Sequence, residues 1–191
     1  MKYVDIFKNA DISNMKKIKF SPEVITKEEK EAIVKWSEDS TEIKKVMWGI
    51  SEDEKAKKYA NTLFSLFDKY EGNLKKGTKL YRGMSFTKED FEYYGYSEVQ
   101  KNELHIPDTK AIVSFSTNKR KAFKYAIMTD RKYKVVYILE NETEALDITK
   151  ISVKPEEKES IITKGKEYLV TYTRIFKRGS EIWKIIKLKK E

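Results

Sequence analysis

The stretch Glu157-Lys158-Glu159-Ser160-Ile161-Ile162-Thr163-Lys164-Gly165-Lys166-Glu167-Tyr168 runs from two acids into an apolar segment and out through a glycine. In an extended backbone, residues i and i+2 point the same way, so Glu157 and Glu159 are expected on one strand face with Cα atoms about 7 Å apart. Ser160, Ile161 and Ile162 are expected to bury against a sheet and hold that edge. Gly165 permits a turn into a further strand that begins near Lys166. Paired carboxylates on a rigid edge suit chemistry at a sugar carbon, where one steadies a developing cation and the other handles a proton. By themselves, two acids are also an ordinary solvated pair in a chain with 31 of them.

Strand signals surround this stretch. Tyr168, Val170 and Tyr172 alternate, as do Trp183 and Ile185, with Arg178-Gly179-Ser180 as the turn between them. Val135 to Leu139 is continuously apolar, the pattern of a strand buried on both faces. Lys110 to Ser116 reads as a strand, Thr78 to Met84 as one that ends at Gly83, and Ala145 to Ile151 as a short one. Helical signals come earlier. Thr26-Lys27-Glu28-Glu29 is a capping box ahead of Ala32, Ile33 and Trp36 on one face. Ile43, Val46, Met47 and Ile50 follow at helical spacing. Ser51-Glu52-Asp53-Glu54 is a second capping box, opening a helix that runs to about Tyr70. Thr87 opens a short helix with Phe91 and Tyr94 inward, and Asn118 caps a helix from Lys119 to about Met128. Residues 95–109 read as a loop, and Met1 to Phe7 as a short edge segment. Helices first and strands later give an α+β fold: an N-terminal helical lobe packed on a mixed, mostly antiparallel β-core of two sheets. Residues 1–191 are expected to form one domain, with the helical lobe at about 20–72 and the β-rich core at about 77–190.

Composition narrows the function. Aromatic residues reach 13%, enough large side chains to build a core. Lys and Arg outnumber Asp and Glu by 40 to 31, a net charge of +9 that favours anionic partners such as nucleotides or nucleic acid. That charge is spread along the chain, and no basic–aromatic interleaved patch stands out. Cysteine is absent, which excludes disulfides, thiol catalysis and cysteine–zinc sites. The single histidine, His105, precedes Pro107 and is expected on a surface loop. No metal site is expected. No apolar leader and no run of membrane-spanning length is present, so the expected location is the cytosol of the producing or infected cell. No glycine-rich dinucleotide fingerprint or phosphate-loop pattern occurs.

Three pieces remain, each at a proposed strand end: Tyr81-Arg82-Gly83, Val113-Ser114-Phe115-Ser116-Thr117 and Glu157-Lys158-Glu159. An arginine before a glycine can meet a phosphate with paired donors while the backbone approaches closely. Taken one at a time, a strand arginine is most often a surface ion pair, and strand serines are ordinary. In this order the three resemble the arginine–serine–glutamate class of mono-ADP-ribosyltransferases, which includes clostridial-type toxin domains and small phage-encoded enzymes. The resemblance covers roughly residues 24–172. It extends to Ile25-Thr26-Lys27-Glu28-Glu29 and Ile43 to Gly49 in the helical lobe, and to Ala122 and Tyr125 after the serines. The family's common Ser-Thr-Ser is here Ser-Phe-Ser, and both Ser114 and Ser116 stay open as the key serine. Toxin members often carry an aromatic just before the acids, where Ser152-Val153-Lys154-Pro155 stands here.

The resemblance implies NAD as co-substrate and ADP-ribose transfer to a protein side chain, with release of nicotinamide. It implies that Arg82 binds the pyrophosphate side, that the Gly83 backbone holds the nicotinamide amide, and that Ser114, with Ser116 secondary, orients the ribose or Glu159. Glu159 would steady the cationic transition state, and Glu157 would serve the acceptor, with arginine favoured. Transcription or translation machinery, or another nucleic-acid-associated protein of a host, is a candidate target class. Two alternatives stay open: an NAD glycohydrolase on the same fold, and a non-catalytic basic module that binds nucleic acid.

Overall fold

Local signals set most of the elements. The computed structural model describes residues 16–140 and 142–190; the expected edge segment Met1 to Phe7 lies outside them. β1 (Ile18–Lys19) leads to α1 (Lys27–Glu38), whose capping box is complete. The Thr26 hydroxyl accepts from Glu29 N, and the Glu29 carboxylate accepts from Thr26 N. α2 (Thr41–Trp48) stops at Gly49, and α3 (Glu54–Lys69) follows. Its cap is Asp53 and not the expected Ser51: the Asp53 carboxylate accepts from Ala56 N at 2.6 Å, while the Ser51 hydroxyl is taken by Asp53 N. Then come β2 (Tyr70–Glu71), β3 (Lys79–Phe86), α4 (Lys88–Tyr93), β4 (Leu104–His105), β5 (Val113–Ser116) and α5 (Lys119–Ile127). β6 (Tyr133–Glu140), β7 (Leu146–Asp147), a 3-10 turn (Pro155–Glu157), β8 (Glu159–Ile162), β9 (Tyr168–Arg178) and β10 (Glu181–Lys189) are the remaining described elements.

Among the described residues, eight strands form one sheet in the order β4-β9-β10-β6-β3-β5-β8-β7, and β1 pairs with β2 in a small parallel sheet. Within the large sheet only β10 and β6 run parallel. β3 and β5 meet at a single position, Tyr81 opposite Ser116. The expected two-sheet core is therefore two halves of one sheet joined at a seam. The helical lobe packs on the β5-β8-β7 half, where Ile33, Trp36, Leu63 and Leu66 meet Ile112, Leu146 and Ile161. On the other half, Leu80, Val135, Tyr137, Leu139, Ile186 and Leu188 form a second core. Val136 points to the opposite face and packs with Ala126 of α5 and Trp183. β6 is thus covered on both sides, as its unbroken apolar run predicts.

Several boundaries depart from the sequence expectation. β3 does not end at Gly83 but pairs with β6 through Phe86. Gly83 is there because α5 lies against it: a Cβ would sit 1.9 Å from the Ala122 carbonyl oxygen. β5 starts later than Lys110, because Asp108 holds Lys110 N and Ala111 N in a turn. β7 ends at Asp147, since the chain turns back with Ile151 N and Ser152 N on Ile148 O. The strand after Gly165 begins at Tyr168. Phe91 is inward as expected, but Tyr94 is 56% exposed and Tyr96 fills the inner place. His105 is not on a surface loop. It pairs with Tyr168 in the sheet and is half-buried, with Nε2 2.5 Å from the Tyr137 hydroxyl.

Candidate active site

The seam between the two halves opens into a cleft of about 440 Å³. Beyond Tyr81, β3 has no strand partner on its β5 side among the described residues, so its edge from Arg82 onward faces this cleft. Arg82 donates from Nη1 to the Ser114 carbonyl oxygen at 2.8 Å, which ties the β3 edge to β5 across the gap. Burial lowers the guanidinium's pKa, although an arginine keeps its charge at any working pH. Behind it lie Tyr137 and Tyr96, both with hydroxyls pushed up by burial.

Glu159, the first residue of β8, is 8% exposed and lies opposite Ser116 in register. Its Oε1 accepts from the Ser114 hydroxyl at 2.5 Å and from Trp36 Nε1 at 3.0 Å. No described residue donates to its Oε2, although Glu159 lines the cleft. Burial raises the Glu159 pKa, opposed by the Ser114 and Trp36 hydrogen bonds, which favour the charged form. Of the two candidate serines, Ser114 touches the carboxylate, whereas Ser116 serves the backbone. The Ser116 hydroxyl donates to the Glu157 carbonyl and accepts from Asn118 N at 2.9 Å.

Glu157 and Glu159 do not share a strand face. Pro155 to Glu157 form the 3-10 turn, Lys158 is left-handed at φ 48°, and only then does the strand begin. Proline at the head of the run favours the turn, and a single αL residue then redirects the chain. Both acids still line the cleft. The turn is fastened from two helices. On the α1 side, Ser37 Oγ accepts from Val153 N and Lys154 Nζ donates to Glu38 O. On the α5 side, Lys121 Nζ lies 3.6 Å from Glu156, and the Tyr125 hydroxyl donates to the Glu157 carboxylate. Val153, in the segment before the acids, is 46% exposed.

Three further residues line the cleft to which the sequence reading assigns no role. Trp36 is buried on the core face that its helical spacing predicts, but its indole N–H reaches Glu159 across 123 residues of sequence. Lys44 sits over the Trp36 ring at 4.9 Å. Burial and the neighbouring Arg82 bring its pKa down to about 8. Tyr125 is expected as the helix aromatic that follows the serines in the family pattern, without its contact to Glu157. None of these contacts leaves a local sequence signal.

The cleft can hold a small anionic ligand. Its volume falls within the usual range for small-molecule sites. Arg82 and Lys44 supply positive charge, the open β3 edge supplies backbone groups, and Glu159 offers an unpaired oxygen. Among the described residues, no group of three or more His, Cys, Asp or Glu could hold a metal ion, and no helix is long and apolar enough to cross a membrane.

No protein-family model matches this chain, and no curated protein does. Solved structures do. Plx2a, an ADP-ribosyltransferase toxin from Paenibacillus larvae, matches with a TM-score of 0.64 at 16% identity, over 87% of both chains. The ADP-ribosyltransferase Vis, solved with agmatine and known as a toxin of Vibrio splendidus, matches at 0.63 and 17% identity, over 87% of this chain and 76% of that one. C3stau2 from S. aureus, solved with NAD, matches at 0.59 and 17% identity, over 88% and 89%. The fold of this chain is that of the ADP-ribosyltransferase toxins.

Proposed function

We propose that this chain transfers ADP-ribose from NAD to arginine side chains of a protein, releasing nicotinamide. The supporting observation is the meeting of Arg82, Ser114 and Glu159 at one cleft, on a fold that ADP-ribosyltransferase toxins share. That C3stau2 was solved with NAD and Vis with agmatine, which ends in a guanidinium, agrees with this donor and acceptor.

In this reading the whole chain works as one catalytic domain. Arg82 grips the diphosphate with its forked donors, and Lys44 adds charge beside it. The Gly83 backbone, on the open strand edge, takes the nicotinamide amide. The bond between ribose and nicotinamide breaks through a transition state that is positive at the anomeric carbon. Glu159 faces that charge from a site already desolvated and already tied by Trp36 and Ser114, so little reorganisation is required when the charge develops. Ser116 acts at one remove, by holding the turn that carries Glu157. A guanidinium is protonated at any physiological pH. One of its nitrogens bonds to the anomeric carbon as neutral nicotinamide leaves, and its proton passes to Glu157.

The test is incubation of the purified protein with labelled NAD, agmatine and a bacterial lysate, followed by mass-spectrometric mapping. Nicotinamide release with label on agmatine and on arginines is expected. NAD consumption without any labelled product would make the protein a glycohydrolase. Label confined to other side chains would overturn the acceptor, and absence of NAD turnover would overturn the whole reading.

A further inference from the structure

The alternation of β9 builds a surface that the active-site cleft does not use. Tyr172, Arg174, Phe176 and Arg178 fall on one face, opposite Lys187, Ile185, Trp183 and Glu181 of β10. This is the face on which α5 packs over β3 and β6, but α5 stops short of β9. Cations and rings are interleaved on it. The Arg174 guanidinium lies 5.8 Å from the centre of the Phe176 ring, and Lys187 Nζ lies 5.2 Å from that of Tyr172. Phe176, Trp183 and Phe123 of α5 form a near-parallel series, with interplanar angles of 15° and 21°, in which Trp183 is buried and forms the floor of the patch. Lys119 continues the pattern onto α5, over Phe123 at 5.6 Å. No such patch stands out in the sequence, because its members come from three elements.

The acids on this face are already engaged. Glu181 accepts from Trp183 Nε1 and lies 3.7 Å from the buried Lys134, and Glu140 pairs with Lys79 at 3.0 Å. Arg174, Arg178, Lys187 and Lys119 have no carboxylate within ion-pair distance among the described residues. Tyr172 is 38% exposed, and alternate residues along a strand stand about 7 Å apart.

We propose that this face binds single-stranded nucleic acid. The interleaving decides between polyanions. An acidic peptide would use the cations and leave the rings idle, and a duplex hides the faces of its bases. A single strand uses both, its phosphates meeting the cations and its bases stacking on the exposed Tyr172 and the planar guanidinium groups. Ala122 and Tyr125 of α5 line the cleft, while Phe123 and Lys119 belong to this face. The α5 end of this face therefore lies one helix width, about 10 Å, from the cleft, while β9 lies four strand spacings, about 19 Å, from β5. A protein that accompanies such a strand would be held on the same side of the sheet as the cleft's α5 wall.

The experiment needs no NAD, so its outcome is independent of the transferase reading. Fluorescence anisotropy with labelled single-stranded DNA and RNA of about 16 nucleotides is measured across a salt series. Micromolar binding is expected, with a log–log salt slope of about −3, from four phosphates at about −0.7 each. Arg174→Glu with Lys187→Glu should roughly halve that slope and weaken binding at least about tenfold. The milder Arg174→Gln with Lys187→Gln covers the case in which charge reversal disturbs folding, and melting curves check both. Tyr172→Ala should weaken binding about tenfold and leave the slope unchanged. Absence of binding at low salt, binding indifferent to these substitutions, or equally tight binding of polyglutamate would each overturn the proposal.

Discussion

Glu159 is buried before any ligand arrives, and this has a measurable cost. Its raised pKa means that the folded protein holds this proton more tightly than the unfolded chain. The group's contribution to stability is therefore present below its unfolded value, about 4.3, and is lost as pH rises through the raised folded value. Glu159→Gln keeps an acceptor oxygen for Trp36 and Ser114 but removes the charge. Differential scanning fluorimetry at neutral pH should show an unchanged or higher melting temperature, while turnover falls about a thousandfold. Trp36→Phe removes a donor that favours the charged carboxylate, so the acidic limb of the kcat/KM profile should move to higher pH. An unmoved limb would mean that the indole does not tune Glu159. Lys44 titrates at about 8, facing Arg82, Glu159, Asp108 and Asp39. NAD affinity should weaken as pH rises through that value, and calorimetry on Lys44→Met should find this dependence gone. Arg82, Ser114 and Glu159 are legible because each sits in a short motif. Trp36 and Lys44 are not, because what they do depends on neighbours brought in by the fold.

At the scale of elements, helix starts are legible and strand ends are not. Caps are settled within four residues, so Thr26, Thr87 and Asn118 can be read directly. A strand ends where its partner ends: β3 runs past Gly83 because β6 continues beside it. The acid pair departs from expectation for a similar reason, since alternation presumes an extended chain and Pro155 starts a turn. Gly83→Ala would drive a methyl into the α5 backbone, which has no side-chain slack to give. Urea unfolding should show a loss of about 1–3 kcal/mol, with α5 shifted and Tyr125 drawn away from Glu157. Ser116→Ala frees the turn without touching the Glu159 carboxylate. Transfer to agmatine should then fall more steeply than NAD hydrolysis; an equal fall in both would argue against a separate acceptor-side role for Glu157.

For the whole molecule, the order of helices before strands points to the α+β class and the helical lobe. The seam is not legible, because a single opposed pair, Tyr81 and Ser116, carries no pattern of its own. A ligand seated at that seam touches both halves and should stabilise them together. With NAD at a hundred times its Kd, inactive Glu159→Gln protein should gain about 2.7 kcal/mol, as one cooperative transition and not two. The sheet order also governs how the chain comes off the ribosome. β10 is the last of the described strands, yet it lies between β9 and β6. Until residues 181–189 emerge, β6 waits with one long edge bare, open to pairing with another nascent chain. That edge stays exposed for as long as the ribosome takes to travel from the end of β6 at Glu140 to the end of β10 at Lys189.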